Sequence, residues 1–155
     1  MIRSFSIIPL VCYLLLGLTL VSVTGCRDDD ETFQVVVIDS QEELERFILG
    51  DESRINGDLL ISGNVTSLEI LSSVEKIIGN LVIIDSQLTS LDGLDRLELV
   101  TGDITILSNP PFQQKITDFC AIRPLLSMGS FRSITILNNL HNPTVSEIQN
   151  GLCDF

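Results

Sequence analysis

Two hydrophobic rhythms alternate along this chain. Around Leu59–Ile61, Leu81–Ile83, Ile104–Ile106 and Ile134–Ile136, aliphatic residues fall at every second position, the period of a β-strand with one face buried. Between the strands the spacing changes. Val65, Leu68, Leu71, Val74 and Ile77 step by three, and so do Leu88, Leu91, Leu94, Leu97 and Val100. An α-helix turns about 100° per residue, so five such positions would spread over roughly 240° of its surface. A three-residue step suits 3₁₀ turns and tight bends that aim every aliphatic side chain at one axis. The pattern therefore predicts short strands joined by turning segments rather than by long helices.

The two rhythms form a repeat. The pairs Leu68/Leu91, Leu71/Leu94, Val74/Leu97, Ile77/Val100, Gly79/Gly102, Leu81/Ile104 and Ile83/Ile106 all stand 23 residues apart. Gly57-Asp58-Leu59-Leu60-Ile61 repeats the second half 22 residues before Gly79, and Ile134 follows Ile104 by 30. Gly57, Gly79 and Gly102 are each followed by Asp or Asn, which is turn chemistry in which glycine supplies unusual backbone angles. A polar column of Asn64, Ser86, Asn109 and Asn139, three residues past each second aliphatic, is placed to bond backbone groups inside the turns. Stacked right-handed coils, each burying its leucines against the next, satisfy all these positions.

A short stack needs lids, because terminal coils would expose leucine to water. Ser40-Gln41-Glu42-Glu43 has capping-box spacing, followed by Leu44, Phe47 and Ile48 as one apolar helical face. Thr144-Val145-Ser146-Glu147 has the same spacing, with Gly151 where a helix would stop. The strand-like 33–38 stretch and the first helix are expected to cover the first coil, and the 120–153 region the last.

The pattern Ile-x-Gly-Asp-Leu-x-Ile, with Leu-x-x-Leu-x-x-Leu between copies, resembles the leucine-rich repeat of receptor L domains. Asp39-Ser40-Gln41, Asp118-Phe119-Cys120-Ala121 and Asn142-Pro143-Thr144…Gly151-Leu152-Cys153 resemble segments of repeat-bearing lipoproteins from Bacteroidota-type bacteria. The resemblance spans about Ser40 to Cys153. It implies a mainly β chain, a short right-handed leucine-rich β-solenoid with small helical caps, that binds something and catalyses nothing. It does not name the ligand.

The N-terminus reads as a targeting segment. Residues 7–23 are almost wholly apolar and lead into Val23-Thr24-Gly25-Cys26, with Arg3 the one early cation. That stretch resembles the lipobox of bacterial lipoproteins, with Val23 in place of the usual leucine. The alternatives are an ordinary secretory signal or a retained membrane helix, but the apolar run is short for a span and contains Pro9. The expected organisation is a signal peptide over 1–25, an acidic linker over 26–33 that begins at the lipidated Cys26, and a repeat domain over 34–155. Asp28-Asp29-Asp30-Glu31 reads either as a solvated spacer or, by resemblance to Bacteroidota-type lipoproteins, as a surface-export signal.

Net charge changes the choice of partners. The full chain carries 9 basic and 21 acidic residues, and removal of Arg3 with the signal leaves 8 − 21 = −13. Such an acidic chain is a poor ligand for nucleic acid, whose binding needs cations on phosphate, and for anionic lipid head groups. The expected partners are a membrane, through lipid on Cys26, and a protein or glycan ligand. An outer-membrane lipoprotein, displayed at the cell surface or facing the periplasm, is the expected location.

Of four cysteines, Cys12 leaves with the signal and Cys26 takes the lipid. Cys120 and Cys153 remain, an even pair in an oxidising compartment. A disulfide between them would close a loop of about 34 residues and contribute roughly 3–4 kcal/mol in the chain-entropy picture. Metal ligation and a reactive thiol are the alternatives, but only His141 could join them and zinc prefers about four ligands.

Catalytic signatures are missing from the sequence: no HExxH, GxSxG, phosphate loop or calcium loop is present. No metal or cofactor is expected. His141 reads as a polar loop residue. With no tryptophan, and Tyr13 inside the signal, a sugar-stacking platform is also poor. One candidate site remains. Residues between the inward-facing aliphatics point outward, giving one column of Leu60, Val82, Thr105 and Thr135 and a second of Ser62, Ile84, Leu107 and Leu137. Adjacent exposed aliphatics on a sheet mark a binding face, unless an N-terminal lid covers them. The expected function is a non-catalytic binding or adhesion module. A self-associating structural protein and a small β-helix enzyme acting on polysaccharide are the alternatives.

Overall fold

A computed structural model describes residues 33–47, 53–108 and 116–155. Cys26, its acidic neighbours, Ile48, Asn109 and the Pro110-Pro111 pair lie outside them.

Strands account for most of the regular structure. In chain order they are β1 (Gln34–Ser40), β2 (Arg54–Ile55), β3 (Gly57–Asn64), β4 (Lys76–Ile77), β5 (Leu81–Ile84), β6 (Leu99–Val100), β7 (Asp103–Leu107) and β8 (Ser133–Leu137). Among the described residues three short α-helices, α1 (Gln41–Arg46), α2 (Arg123–Met128) and α3 (Val145–Gln149), and two 3₁₀ turns, Glu69–Leu71 and Cys120–Ile122, complete the set. The strands from β1 to β7 alternate between two open sheets and β8 joins the first, so that one is ordered β1-β3-β5-β7-β8 and the other β2-β4-β6. Every strand pair in both sheets is parallel.

The register follows the repeat. Leu59, Leu81, Ile104 and Ile134 align across the large sheet, as do Ile61, Ile83, Ile106 and Ile136. The 30-residue interval to β8 thus keeps the same alignment as the 23-residue one. Inward members from Leu59 to Ile106 are fully buried. The three-residue steps behave as the spacing requires: Val65, Leu68, Leu71, Val74 and Ile77 all lie in the core, and so do Leu88, Leu91, Leu94, Leu97 and Val100. Glu69–Leu71 forms a 3₁₀ turn, and the backbone closes through Leu71 N–H to Leu68 C=O and Val74 N–H to Leu71 C=O, both at 2.8 Å. Each side chain of this kind stabilises by roughly 1.5–3 kcal/mol when fully buried.

The glycine column has a different cause from the expected one. Of Gly57, Gly79 and Gly102, only Gly57 takes a positive φ, of 137°. A Cβ on Gly79 would stand 2.4 Å from the Gly57 carbonyl, and one on Gly102 would stand 2.2 Å from the Asn80 Oδ1. These two glycines are fixed by the close approach of successive passes, not by backbone angle.

The polar column also differs. Asn139 does donate Nδ2 to the Leu137 carbonyl at 3.2 Å and to Ile106 at 3.4 Å. Asn64, however, is exposed and accepts from Gln87 Nε2 at 2.8 Å. The chain leaves the strands through left-handed residues one position earlier: Gly63 (φ 63°), Asp85 (φ 49°) and Asn138 (φ 63°). Glycine and Asx residues tolerate that region best.

A capped helix stands at each end of the repeat region. Ser40 Oγ accepts from the Glu43 amide at 3.3 Å, whereas the Glu43 carboxylate reaches back to the Asp39 N–H, not the Ser40 N–H. Gln41 Oε1 accepts from the amides of Thr66 and Ser67, tying α1 to the next pass, and Leu44 is fully buried. At the other end Thr144 and Glu147 form a complete capping box on α3. Cys120 and Cys153 are joined by a disulfide, with Cα atoms 5.0 Å apart. Beside it Asp118 and Asp154 form an antiparallel bridge, and the Phe119 N–H donates to the Cys153 carbonyl at 2.8 Å. Among the described residues no helix is long and apolar enough to cross a membrane.

Candidate functional site

The outer face of the five-stranded sheet is a grid that the register defines. Its middle row runs Val37, Leu60, Val82, Thr105, Thr135. The next row, toward the C-terminal ends of the strands, includes Ser62 on β3 and the aligned Ile84, Leu107 and Leu137. The first row holds Val35 opposite Asp58, then Asn80, Asp103 and Ser133. The seven sequence-predicted residues, Leu60, Val82, Ile84, Thr105, Leu107, Thr135 and Leu137, therefore lie on one surface in two adjacent rows. None of them belongs to the buried set, and Leu137 is 52% exposed.

Two members of the face were not singled out from sequence. Val35 and Val37 are 61% and 49% exposed and extend the aliphatic strip onto β1. The 33–38 stretch thus adds an edge strand to the sheet and does not fold across it. Val35-Val36-Val37-Ile38 is continuously aliphatic, so its own sequence does not say which residues face outward. Pairing of Val36 with Leu59 and Ile38 with Ile61 decides it.

A ladder of hydrogen bonds borders the strip. Asp58 Oδ1 accepts from the Asn80 amide at 2.7 Å and from its Nδ2 at 2.9 Å. Asn80 Oδ1 in turn accepts from the Asp103 amide at 2.8 Å. Asp103 closes the ladder by accepting from Arg132 through Nε at 2.8 Å, from the same guanidinium through Nη2, and from Ser133 Oγ at 2.8 Å. The hydrogen bonds from Arg132, then the one from Ser133, and the nearby positive charge hold the Asp103 carboxyl down to about 2, and its partner Arg132 is raised in return. Asp58 and Asp103 keep this border acidic, and Arg132 is already engaged.

Among the described residues little offers covalent chemistry. Among the described residues no cluster of His, Cys, Asp or Glu could hold a metal ion. His141 stacks on Phe155, with ring centroids 4.6 Å apart, and pins the end of the chain. Asp92, Asp95 and Glu98 are exposed on the turning segments, and the Asp95 carboxylate accepts from the Gly93 amide. A cleft of about 630 Å³ lies beside the small sheet, lined by Glu75, Lys76, Asp95, Glu98 and Met128. Across it Arg96 and Glu75 form an ion pair.

Parallel strands in register, leucine-lined turns and an aliphatic sheet face that is partly exposed among the described residues define a leucine-rich scaffold. The family model of the receptor L domain matches residues 53–151, and the chain belongs to that family. Comparison with curated proteins returns no match, and comparison with solved structures returns none either. Receptor L domains are binding modules and not typically catalysts, so the chain carries a ligand-binding domain.

Proposed function

We propose that this chain is a lipid-anchored envelope protein whose short right-handed leucine-rich solenoid captures a ligand on the outer face of its large sheet. The observation that carries the reading is the aliphatic strip on a receptor L domain, exposed at Val35, Val37 and Leu137 and half-buried at Leu60, Val82, Ile84 and Leu107. Adjacent aliphatics that stay partly open to solvent in this way belong to interaction sites more than to bare surface. No aromatic side chain stands in the three rows, which favours a protein surface over a sugar ring as the ligand. The acidic border and the acidic chain turn away nucleic acid.

The anchor rests on the sequence. The signal occupies residues 1–25, the lipid sits on Cys26, and the acidic 26–33 stretch serves as spacer and export signal of Bacteroidota-type lipoproteins. Adhesion or capture at the outer surface of the outer membrane is the role that fits a tethered, acidic, non-catalytic binding domain.

The test uses intact cells expressing the wild type, Cys26→Ser, and the double variant Ile84→Ser with Leu107→Ser. Protease shaving should remove the wild-type domain from intact cells, and Cys26→Ser should lose its membrane attachment. A Cys26→Ser chain that stays membrane-bound and uncleaved contradicts the anchor. The double variant should stay folded yet lose adhesion, and undiminished adhesion would contradict the binding face.

A further inference from the structure

The large sheet ends on β8, and that end is unfinished. Among the described residues no strand pairs with the outer side of β8. Parallel pairing uses alternate residues on each side of a strand. The Leu59 amide donates to Asn80, and the Ser108 amide donates to Leu137, so outward-facing residues of each later strand serve the strand before it. By that alternation Ser133, Thr135 and Leu137 serve β7. The N–H and C=O groups of Ile134 and Ile136 are left pointing at the open edge.

The side chains beneath that edge are unfinished too. Ile104 and Ile106 on β7 are fully buried, whereas Ile134 and Ile136, their register partners, are only half-buried. A cleft of about 320 Å³ opens beside them, walled on the far side by Asn142, Pro143 and Val145. Natural edges are usually blunted by charge, proline or a bulge. The opposite edge strand, β1, has such a device, a register shift between Ile38 and Ser40 flanking Asp39. β8 has none: its five residues are Ser133, Ile134, Thr135, Ile136 and Leu137, and the adjoining Arg132 is held by Asp103.

We propose that the free edge of β8 receives an extended segment of another polypeptide, paired as a sixth strand, whose inward aliphatic side chains fill the cleft beside Ile134 and Ile136. The occupant follows from the chemistry of the edge. A row of backbone donors and acceptors above an aliphatic cleft is satisfied by a strand with alternating aliphatic residues, and neither a glycan nor a lipid chain supplies both. Continuity argues the same way, because β3, β5, β7 and β8 each join the sheet in this register with aliphatics inward. This surface is the edge of the sheet and does not depend on what occupies its outer face.

The test uses the full chain with its disulfide intact and, as probe, a synthetic peptide of residues 101–108, the sequence that β8 itself pairs with. Two further peptides carry backbone N-methyl groups at alternate residues, one in each phase. Binding by the unmodified peptide should slow hydrogen exchange at the Ile134 and Ile136 amides. Because an added strand bonds through one side only, one N-methylated phase should keep its affinity. The other should lose about tenfold or more, the loss of two or three net hydrogen bonds. Equal affinity of all three peptides, or unchanged exchange at Ile134 and Ile136, overturns the proposal.

Discussion

Asp103 shows how a single side chain ties one pass of the chain to the next. Its amide donates to Asn80 and its carboxylate accepts from Arg132 and Ser133, so it links three strands of the large sheet. A carboxyl held down to about 2 from 3.8 contributes stability that is fully present above its unfolded value and is lost as pH falls through the folded one. Acid titration followed by NMR should therefore find Asp103 ionised until about pH 2. Asp103→Asn should lose part of the acid dependence of stability between pH 3.8 and 2. Gly102 acts through what it lacks. With Asn80 Oδ1 only 2.2 Å from the place of a Cβ, Gly102→Ala must push two passes apart, and overpacking of this kind costs about 1–3 kcal/mol. Urea denaturation checks it; an unchanged midpoint would mean the passes separate freely at that point. Sequence marked this glycine through its 23-residue recurrence but assigned it a turn role, because spacing carries no information on the distance between successive passes.

At the scale of elements, the strands and the turns between them were the most legible part of the chain. Each inward aliphatic from Leu59 to Ile106 recurs with a period set by the geometry of one pass, so composition and register repeat together. β1 was legible as a strand but not as part of the face, since four consecutive aliphatics leave its orientation to its partner. The Asx ladder was invisible as a ladder, although Asp58, Asn80 and Asp103 stand at repeat positions, because its closure by Arg132 falls outside the 23-residue period. The C-terminal cap depends on a covalent staple. The Cys120–Cys153 disulfide, with a sequence separation of 33, holds the bridge between Asp118 and Asp154 together with the bond from Phe119 to Cys153. Cys120→Ser with Cys153→Ser should lower stability by roughly 3 kcal/mol. Hydrogen exchange at the Phe119 and Phe155 amides, the latter bonded to Thr117, should quicken before exchange in β5 or β7. Uniform quickening would mean the cap and the sheet unfold as one unit.

Across the whole molecule, the two sheets divide the surface by character. The large sheet presents an aliphatic strip with an acidic border. The small sheet presents Arg54 and Lys76 in register, with the Arg96–Glu75 ion pair beside them. A binding reading confined to the large sheet thus has an internal control on the same chain. The direct measurement is site-specific photo-cross-linking in intact cells that express the full chain, with the reactive residue placed at Thr105 on the large sheet or at Lys76 on the small one. A binding face on the large sheet should give a discrete cross-linked species from Thr105, lost when Ile84→Ser and Leu107→Ser are added, and none of comparable yield from Lys76. Equal products from both positions, or a Thr105 product that survives the double substitution in a folded chain, would contradict it.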